Sequence, residues 1–307
     1  MNSSLLAVAA RNGGVVSISD CYAAGLTFAE IGARCRSGEF SRLMRGAYLL
    51  NADLRNGPSR ADLVRAAVAS FGASAVVGLQ TAAELHGIGG APASSRIHII
   101  TPRTAGRGRR ILDTTVSAHQ FELLDEDVNE IGGIRVTTPA RTLMDLVCCL
   151  DRMDAVAVAD SCLNRGLVTE DDVAAVSGRL RRRRGAVLAR RALAEADGRA
   201  ESPLESRVRL RAVDGKVAPD ELQYVVRRAD GLVIARCDFA WTGYRLVGEA
   251  DGVGPHTTPD AVLYDRKRQN AIQATGLQVV RFTWADTVAP EVIPRAIRAA
   301  MRAPAMS

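Results

Sequence analysis

Residues 237–239 read Cys-Asp-Phe, residues 247–252 read Val-Gly-Glu-Ala-Asp-Gly, and residues 279–282 read Val-Val-Arg-Phe. Asp238 follows the apolar run Leu232, Val233, Ile234, and Glu249 closes the run from Tyr244 to Val247. Short apolar runs bounded by turn residues read as strands. Two such strands paired as a hairpin would bring Asp238 and Glu249 to the same end of a sheet. Carboxylates gathered without enough cations repel one another, and their pKa values rise. A divalent ion removes that penalty, and hard oxygen ligands suit Mg²⁺ or Mn²⁺.

Outward from these acids, residues 197–307 read as one α-β-β-β-α-β unit. Asp197-Gly198-Arg199 reads as a linker. A helix is expected over Pro203–Val213, then strands over Leu222–Arg227, Val233–Trp241 and Arg245–Ala250, with turns at Asp230-Gly231 and Thr242-Gly243. A helix over Pro259–Ala274 ends at Gly276, a strand covers Gln278–Thr283, and a last helix starts near Pro290. Such an order fits a mixed sheet flanked by helices. Glu201 fits an acid at a helix N-terminus.

The first fifty residues carry a different pattern. Leu5, Leu6, Val8 and Ala9 mark a helix closed by Asn12-Gly13-Gly14, and Val15–Ser17 is a brief extended piece. Ser19 or Asp20 is expected to cap a second helix stopped by Gly25. Thr27 caps a third helix, with Glu30 completing a capping box and Gly38 as the stop. Phe40–Leu50 alternates around Gly46 as a hairpin. Helices joined by a tight turn and followed by a hairpin make a winged helix-turn-helix. Arg34 and Arg36 lie on its reader helix, and Arg42 and Arg45 lie in its wing. These four are the candidate DNA contacts.

Between them, residues 51–196 read as a mixed α/β region. Helices are expected over Asp62–Phe71, Thr81–His86, from Thr138 through Val147, over Met153–Arg165, and from the cap Thr169. Ala75–Val77 starts a short apolar run, and a strand is expected over Arg96–Thr101. His86 and His98 sit among apolar residues and read as structural histidines. Arg181–Arg184 reads as a solvated helix surface able to touch phosphates. The expected fold class is therefore α+β or α/β in three regions, 1–50, 51–196 and 197–307.

A formal charge of +6 points mildly toward polyanionic partners. Lys216 and Lys267 are the only lysines. Six cysteines form no C-x-x-C pair, which argues against a zinc ribbon or a redox dithiol. No apolar run approaches the roughly 20 residues that span a bilayer. The N-terminus lacks a basic stretch followed by a long apolar core. The expectation is a cytoplasmic protein with no membrane partner.

The last hundred residues resemble the restriction-endonuclease-like, PD-(D/E)XK superfamily, in particular its very-short-patch-repair-like domain. The resemblance rests on Glu205, Gln223, Asp238-Phe239, Glu249-Ala250-Asp251-Gly252, His256, Asp265, Arg268 and Val280-Arg281-Phe282. It implies metal-dependent phosphodiester hydrolysis. Asp238 and Glu249 would bind Mg²⁺ or Mn²⁺, and Glu205 would add a ligand or orient a metal-bound water. Gln223, His256 and Arg281 would position phosphate or water. The superfamily usually has lysine two residues after the Glu. Here that member of the candidate catalytic set is Asp251.

The front of the chain resembles the N-terminal winged-helix domain of the AbiEi antitoxin family, from type IV toxin–antitoxin systems. The likeness is carried by Asn12-Gly13-Gly14-Val15-Val16, Ala23-Ala24-Gly25-Leu26 and Arg45-Gly46-Ala47-Tyr48. Ala82–Gly87 and Thr137–Leu143 look like the segments that follow it in large actinobacterial relatives. The resemblance implies promoter binding and neutralisation of a nucleotidyltransferase toxin. Two functions are thus expected: a DNA-associated protein with an endonuclease domain, or a DNA-binding regulator or antitoxin whose nuclease fold does not cut.

Overall fold

The computed structural model describes residues 3–50, 57–101, 109–111, 114–252 and 259–303. The chain forms two compact units, residues 1–146 and 147–307. The architecture is mixed α and β, with three sheets among the described residues.

The first unit begins with α1 (Ser3–Arg11), β1 (Val15–Ser17), α2 (Ile18–Ala23), α3 (Phe28–Arg36), β2 (Phe40–Met44) and β3 (Ala47–Leu50). Local chemistry sets each boundary. Thr27 and Glu30 close the expected capping box on α3, with the Thr27 amide donating to Glu30 Oε2 at 2.7 Å. The cap of α2 is Ser17, not Ser19 or Asp20. Ser17 is already extended as the last residue of β1, so its hydroxyl meets the Asp20 amide at 3.1 Å while Asp20 reaches back. Gly46, at φ +77°, turns the β2–β3 hairpin. β1 pairs with β3 to give a three-stranded wing in the order β1-β3-β2. Leu5, Val16, Cys21, Ile31, Phe40 and Tyr48 form its core.

The rest of this unit holds α4 (Arg60–Phe71), β4 (Val76–Val77), α5 (Leu79–His86), β5 (Ile97–Ile100), β6 (Arg109–Ile111), β7 (Thr114–His119), β8 (Val128–Ile131), β9 (Ile134–Thr137) and α6 (Pro139–Val147). Its six-stranded sheet runs β6-β7-β5-β4-β9-β8. The strands β6 to β9 were not expected from sequence. β8 shows why: Val-Asn-Glu-Ile is an edge strand with no buried position, so it carries no apolar alternation. α6 buries Arg141 between Asp127 at 2.8 Å and Asp145 at 2.9 Å. Paired and hydrogen-bonded in this way, the three charges tolerate burial.

The second unit opens with α7 (Arg152–Asn164), α8 (Glu170–Arg179), α9 (Ala186–Ala194) and α10 (Pro203–Asp214). Thr169 caps α8 as expected, with Asp172 completing the box. Arg181–Arg184 lies in the turn between α8 and α9, not on a helix. Asp197–Arg199, expected as a linker, is packed: the Asp197 amide donates to Asp160, and Asn164 donates to the Gly198 carbonyl at 3.0 Å. Arg209 on α10 reaches Asp160 on α7 at 2.8 Å, and Arg207 pairs with Asp154. These pairs bind α10 to α7, a helix that precedes residue 197 in the chain.

Then come β10 (Glu221–Arg227), β11 (Val233–Trp241), β12 (Leu246–Ala250), α11 (Pro259–Gln273), β13 (Gln278–Phe282) and α12 (Val292–Arg302). The sheet runs β10-β11-β12-β13, antiparallel except for the parallel β12–β13 pair. Phe239, Trp241, Leu246 and Phe282 pack against Leu204 and Val208 of α10 and Ile293 and Ile297 of α12. Cys237, Ala240 and Val247 pack with Ile272 of α11. The α-β-β-β-α-β order matches the sequence reading.

Candidate functional site

In the first unit, α3 and the wing present cations to solvent. Arg36 sits exposed in the last turn of α3, Arg42 is exposed on β2, and Arg45 is exposed at the hairpin turn. Among the described residues none of the three forms an ion pair. Arg34 differs. Its guanidinium pairs with Glu39 and lies 5.7 Å from the centre of the Phe40 ring. That contact fixes the end of α3 against β2, so Arg34 serves the scaffold first. A cleft of about 630 Å³ opens beside α3, lined by Phe28, Gly32, Cys35, Arg42, Arg45 and Tyr48.

In the second unit the expected acids do gather at one end of the sheet. Phe239 pairs with Gly248, which places Asp238 and Glu249 side by side at the end of the β11–β12 register. Asp238 Oδ2 accepts the Ala250 amide at 2.7 Å. Its pKa is pushed up to about 6, chiefly by burial, with Glu205 and Glu249 adding to the rise. The Ala250 amide and Arg268 oppose it. Glu205, at the start of α10, accepts the Glu201 amide at 2.9 Å and the Gln223 amide group at 2.8 Å. Burial raises the Glu205 pKa as well. Gln223 lies in β10 at φ +56°, a conformation that side chains rarely adopt. It is left out of the ladder between the Leu222–Phe239 and Tyr224–Cys237 pairs, whose register is the same on either side. That strain, on the order of 1–3 kcal/mol, accompanies the contact of Gln223 with Glu205.

Glu249 is buried, and arginines hold both of its oxygens. Oε1 lies 2.5 Å from Arg268 and Oε2 lies 3.1 Å from Arg281. Arg281 also reaches Asp251 at 3.5 Å. Cys237 donates its thiol to Glu249 at 3.7 Å, and its pKa is pushed up to about 12 by burial and by that carboxylate. Arg268 further donates to the Arg236 carbonyl, while Arg236 pairs with Glu201. Glu201 therefore serves as an ion-pair partner and not as a simple helix-terminal acid. His256 lies outside the described residues, as does the side chain of Asp265.

This arrangement fits Mg²⁺ or Mn²⁺ poorly. One oxygen of Asp238, one of Glu205 and both of Glu249 are already engaged. No group of three His, Cys, Asp or Glu side chains is arranged to hold a metal ion among the described residues. As folded, the cluster is a charge-compensated network in which guanidinium groups occupy the place that a cation would fill.

His86 donates its Nε2–H to the Thr137 carbonyl at 2.7 Å. His98 meets His119 at 2.9 Å, nitrogen to nitrogen, and burial pushes the His98 pKa down to about 4. Both read as structural. Sequence reasoning missed the Arg141 network. Its one signal was the Arg141–Asp145 spacing of four residues on an apolar helix. No helix among the described residues is long and apolar enough to cross a membrane.

Over 255 residues the chain is 29% identical to two uncharacterized proteins of Mycobacterium tuberculosis, MT2308 of strain CDC 1551 and Rv2248 of strain H37Rv. The match covers 83% of this chain and 89% of each relative. Among solved structures, the crystal structure of the RV2827C protein from Mycobacterium tuberculosis is similar at 14% identity, covering 75% of this chain and 90% of that one, with a TM-score of 0.37. Residues 3–51 match the family described as a transcriptional regulator, AbiEi antitoxin, and residues 75–199 match the AbiEi antitoxin C-terminal domain. The chain thus carries AbiEi antitoxin domains over residues 3–51 and 75–199.

Proposed function

We propose that this protein is a sequence-specific DNA-binding regulator of the antitoxin type, whose first unit reads duplex DNA through α3 and the wing. The observation that carries this reading is the set Arg36, Arg42 and Arg45, exposed and unpaired on the two elements that a winged helix presents to DNA. The AbiEi domains support the same reading. A nucleotidyltransferase toxin is the protein partner that the antitoxin assignment implies. The second unit then acts as a folded partner domain whose acids are answered by Arg268 and Arg281.

The test is selection of a randomised duplex library by the full chain. An enriched motif is expected, with affinity for it falling at least tenfold in the variant combining Arg36→Ala, Arg42→Ala and Arg45→Ala, a loss of roughly 1.4 kcal/mol or more. Failure to enrich any sequence, or unchanged affinity in the variant, would reject the reading.

One observation favours a second reading, a metal-dependent endonuclease. The carboxylates of Glu205 and Glu249 both bear on Asp238, as in a site built for a cation. This reading requires Arg268 and Arg281 to release Glu249. Plasmid incubation with Mg²⁺ or Mn²⁺ separates the two: nicking that disappears in Asp238→Ala supports the endonuclease, and no nicking, or equal nicking by both proteins, rejects it.

A further inference from the structure

We infer that Phe28 is a specificity-determining residue that reads the C5-methyl group of thymine in the major groove. The inference rests on the DNA-reading assignment above and goes beyond it by naming the base feature recognised. In a helix-turn-helix the N-terminal residues of the second helix meet base edges. On α3 that position is Phe28, the first residue after the cap Thr27.

Phe28 is 70% exposed. Leaving an aromatic ring in water forgoes burial that other sites in the same small core obtain, as Phe40 does at 1% exposure. The polar side chains near Phe28 are committed elsewhere. Glu30 accepts the Thr27 amide and hydroxyl, both at 2.7 Å. Arg34 is paired with Glu39. Arg36 lies two turns further on, in the last turn of the helix. The leading half of α3 therefore offers DNA an apolar contact and no free donor side chain, Glu30 Oε1 being an acceptor on a carboxylate.

An apolar side chain distinguishes base pairs in the major groove through one feature, the thymine methyl. Phe28 also lines the cleft that Arg42 and Arg45 line from the wing. The cations suit backbone phosphates, which set register without reading sequence. The ring is then left to choose the base.

The experiment uses a duplex selected from a randomised library by the full chain and resynthesised with deoxyuridine replacing thymidine one position at a time. Deoxyuridine keeps every pairing and groove hydrogen bond and removes only the methyl. At one or two positions, wild-type affinity is expected to fall about fourfold, the value of one buried methyl-sized group. In Phe28→Ala the thymidine and deoxyuridine duplexes should bind alike, while Phe28→Leu retains part of the preference. Equal binding of all wild-type duplexes, or a preference that survives Phe28→Ala, overturns the inference. If selection enriches nothing, the DNA-reading assignment falls and this inference with it. An enriched motif indifferent to deoxyuridine defeats this inference alone.

Discussion

The reader face of the first unit and the acid cluster of the second both depend on arginine, with opposite outcomes. Arg36, Arg42 and Arg45 stand in solvent with no ion pair among the described residues. Arg268 and Arg281, about a quarter exposed, are drawn onto one buried carboxylate, Glu249. An exposed guanidinium is available to a phosphate, whereas one locked on a buried acid must first break that contact. Arginine content therefore says little about function until each group is matched with its partner.

The largest expected effect tests the locked set. Glu249→Gln takes from two half-buried cations the carboxylate that they share, while Arg281 keeps its contact with Asp251, and stability should drop by about 2 kcal/mol, below the value for a fully buried pair because the arginines remain partly solvated. Urea unfolding of the full chain measures this, and an unchanged midpoint would mean that the network carries no stability.

Next comes Asp238. Its folded pKa of about 6 lies above the ordinary 3.8. The folded protein holds this proton more tightly than the unfolded chain does. The ionised carboxylate thus lowers stability above pH 6, and the deficit fades as pH falls from about 6 toward the ordinary value. Asp238→Asn keeps an acceptor for the Ala250 amide and cannot ionise. It should be more stable than wild type by roughly 1–2 kcal/mol near pH 8, with the difference shrinking near pH 4. A difference that grows on acidification would contradict the assigned shift.

The smallest effect separates the two kinds of arginine on one helix. Arg34→Ala removes a partly exposed ion pair and a ring contact, so it should cost only about 0.5–1 kcal/mol of stability. DNA affinity should change less than in Arg36→Ala, as titration of the same labelled duplex with each variant would show.

Much of this fold could be read from the sequence because its boundaries are marked by short-range chemistry. Thr27 with Glu30 and Thr169 with Asp172 announce their helices. The strands around Asp238 and Glu249 stand out because each sets an acid among apolar residues. The strands β6 to β9 did not: β6, β8 and β9 have only three or four residues, β8 has no buried side chain, and the six-residue β7, Thr-Thr-Val-Ser-Ala-His, is mostly polar. At the site, the gathering of the acids was legible from strand ends. Their neutralisation was not: Arg268 comes from α11 and Arg281 from β13, and only tertiary packing brings both to Glu249. Arg34 and Arg36 look equivalent in sequence, yet Glu39 and Phe40 claim one and leave the other free.

The central claim is that the exposed arginines of α3 and the wing hold DNA while the paired arginines of the second unit do not. Its most direct test is the salt dependence of duplex binding in two variants, Arg36→Ala/Arg42→Ala/Arg45→Ala and Arg268→Ala/Arg281→Ala. Each lost phosphate contact should lower the slope of log affinity against log salt by about 0.9. The first variant should lose roughly two to three such contacts and the second none. A slope unchanged in the first variant and reduced in the second would contradict the account.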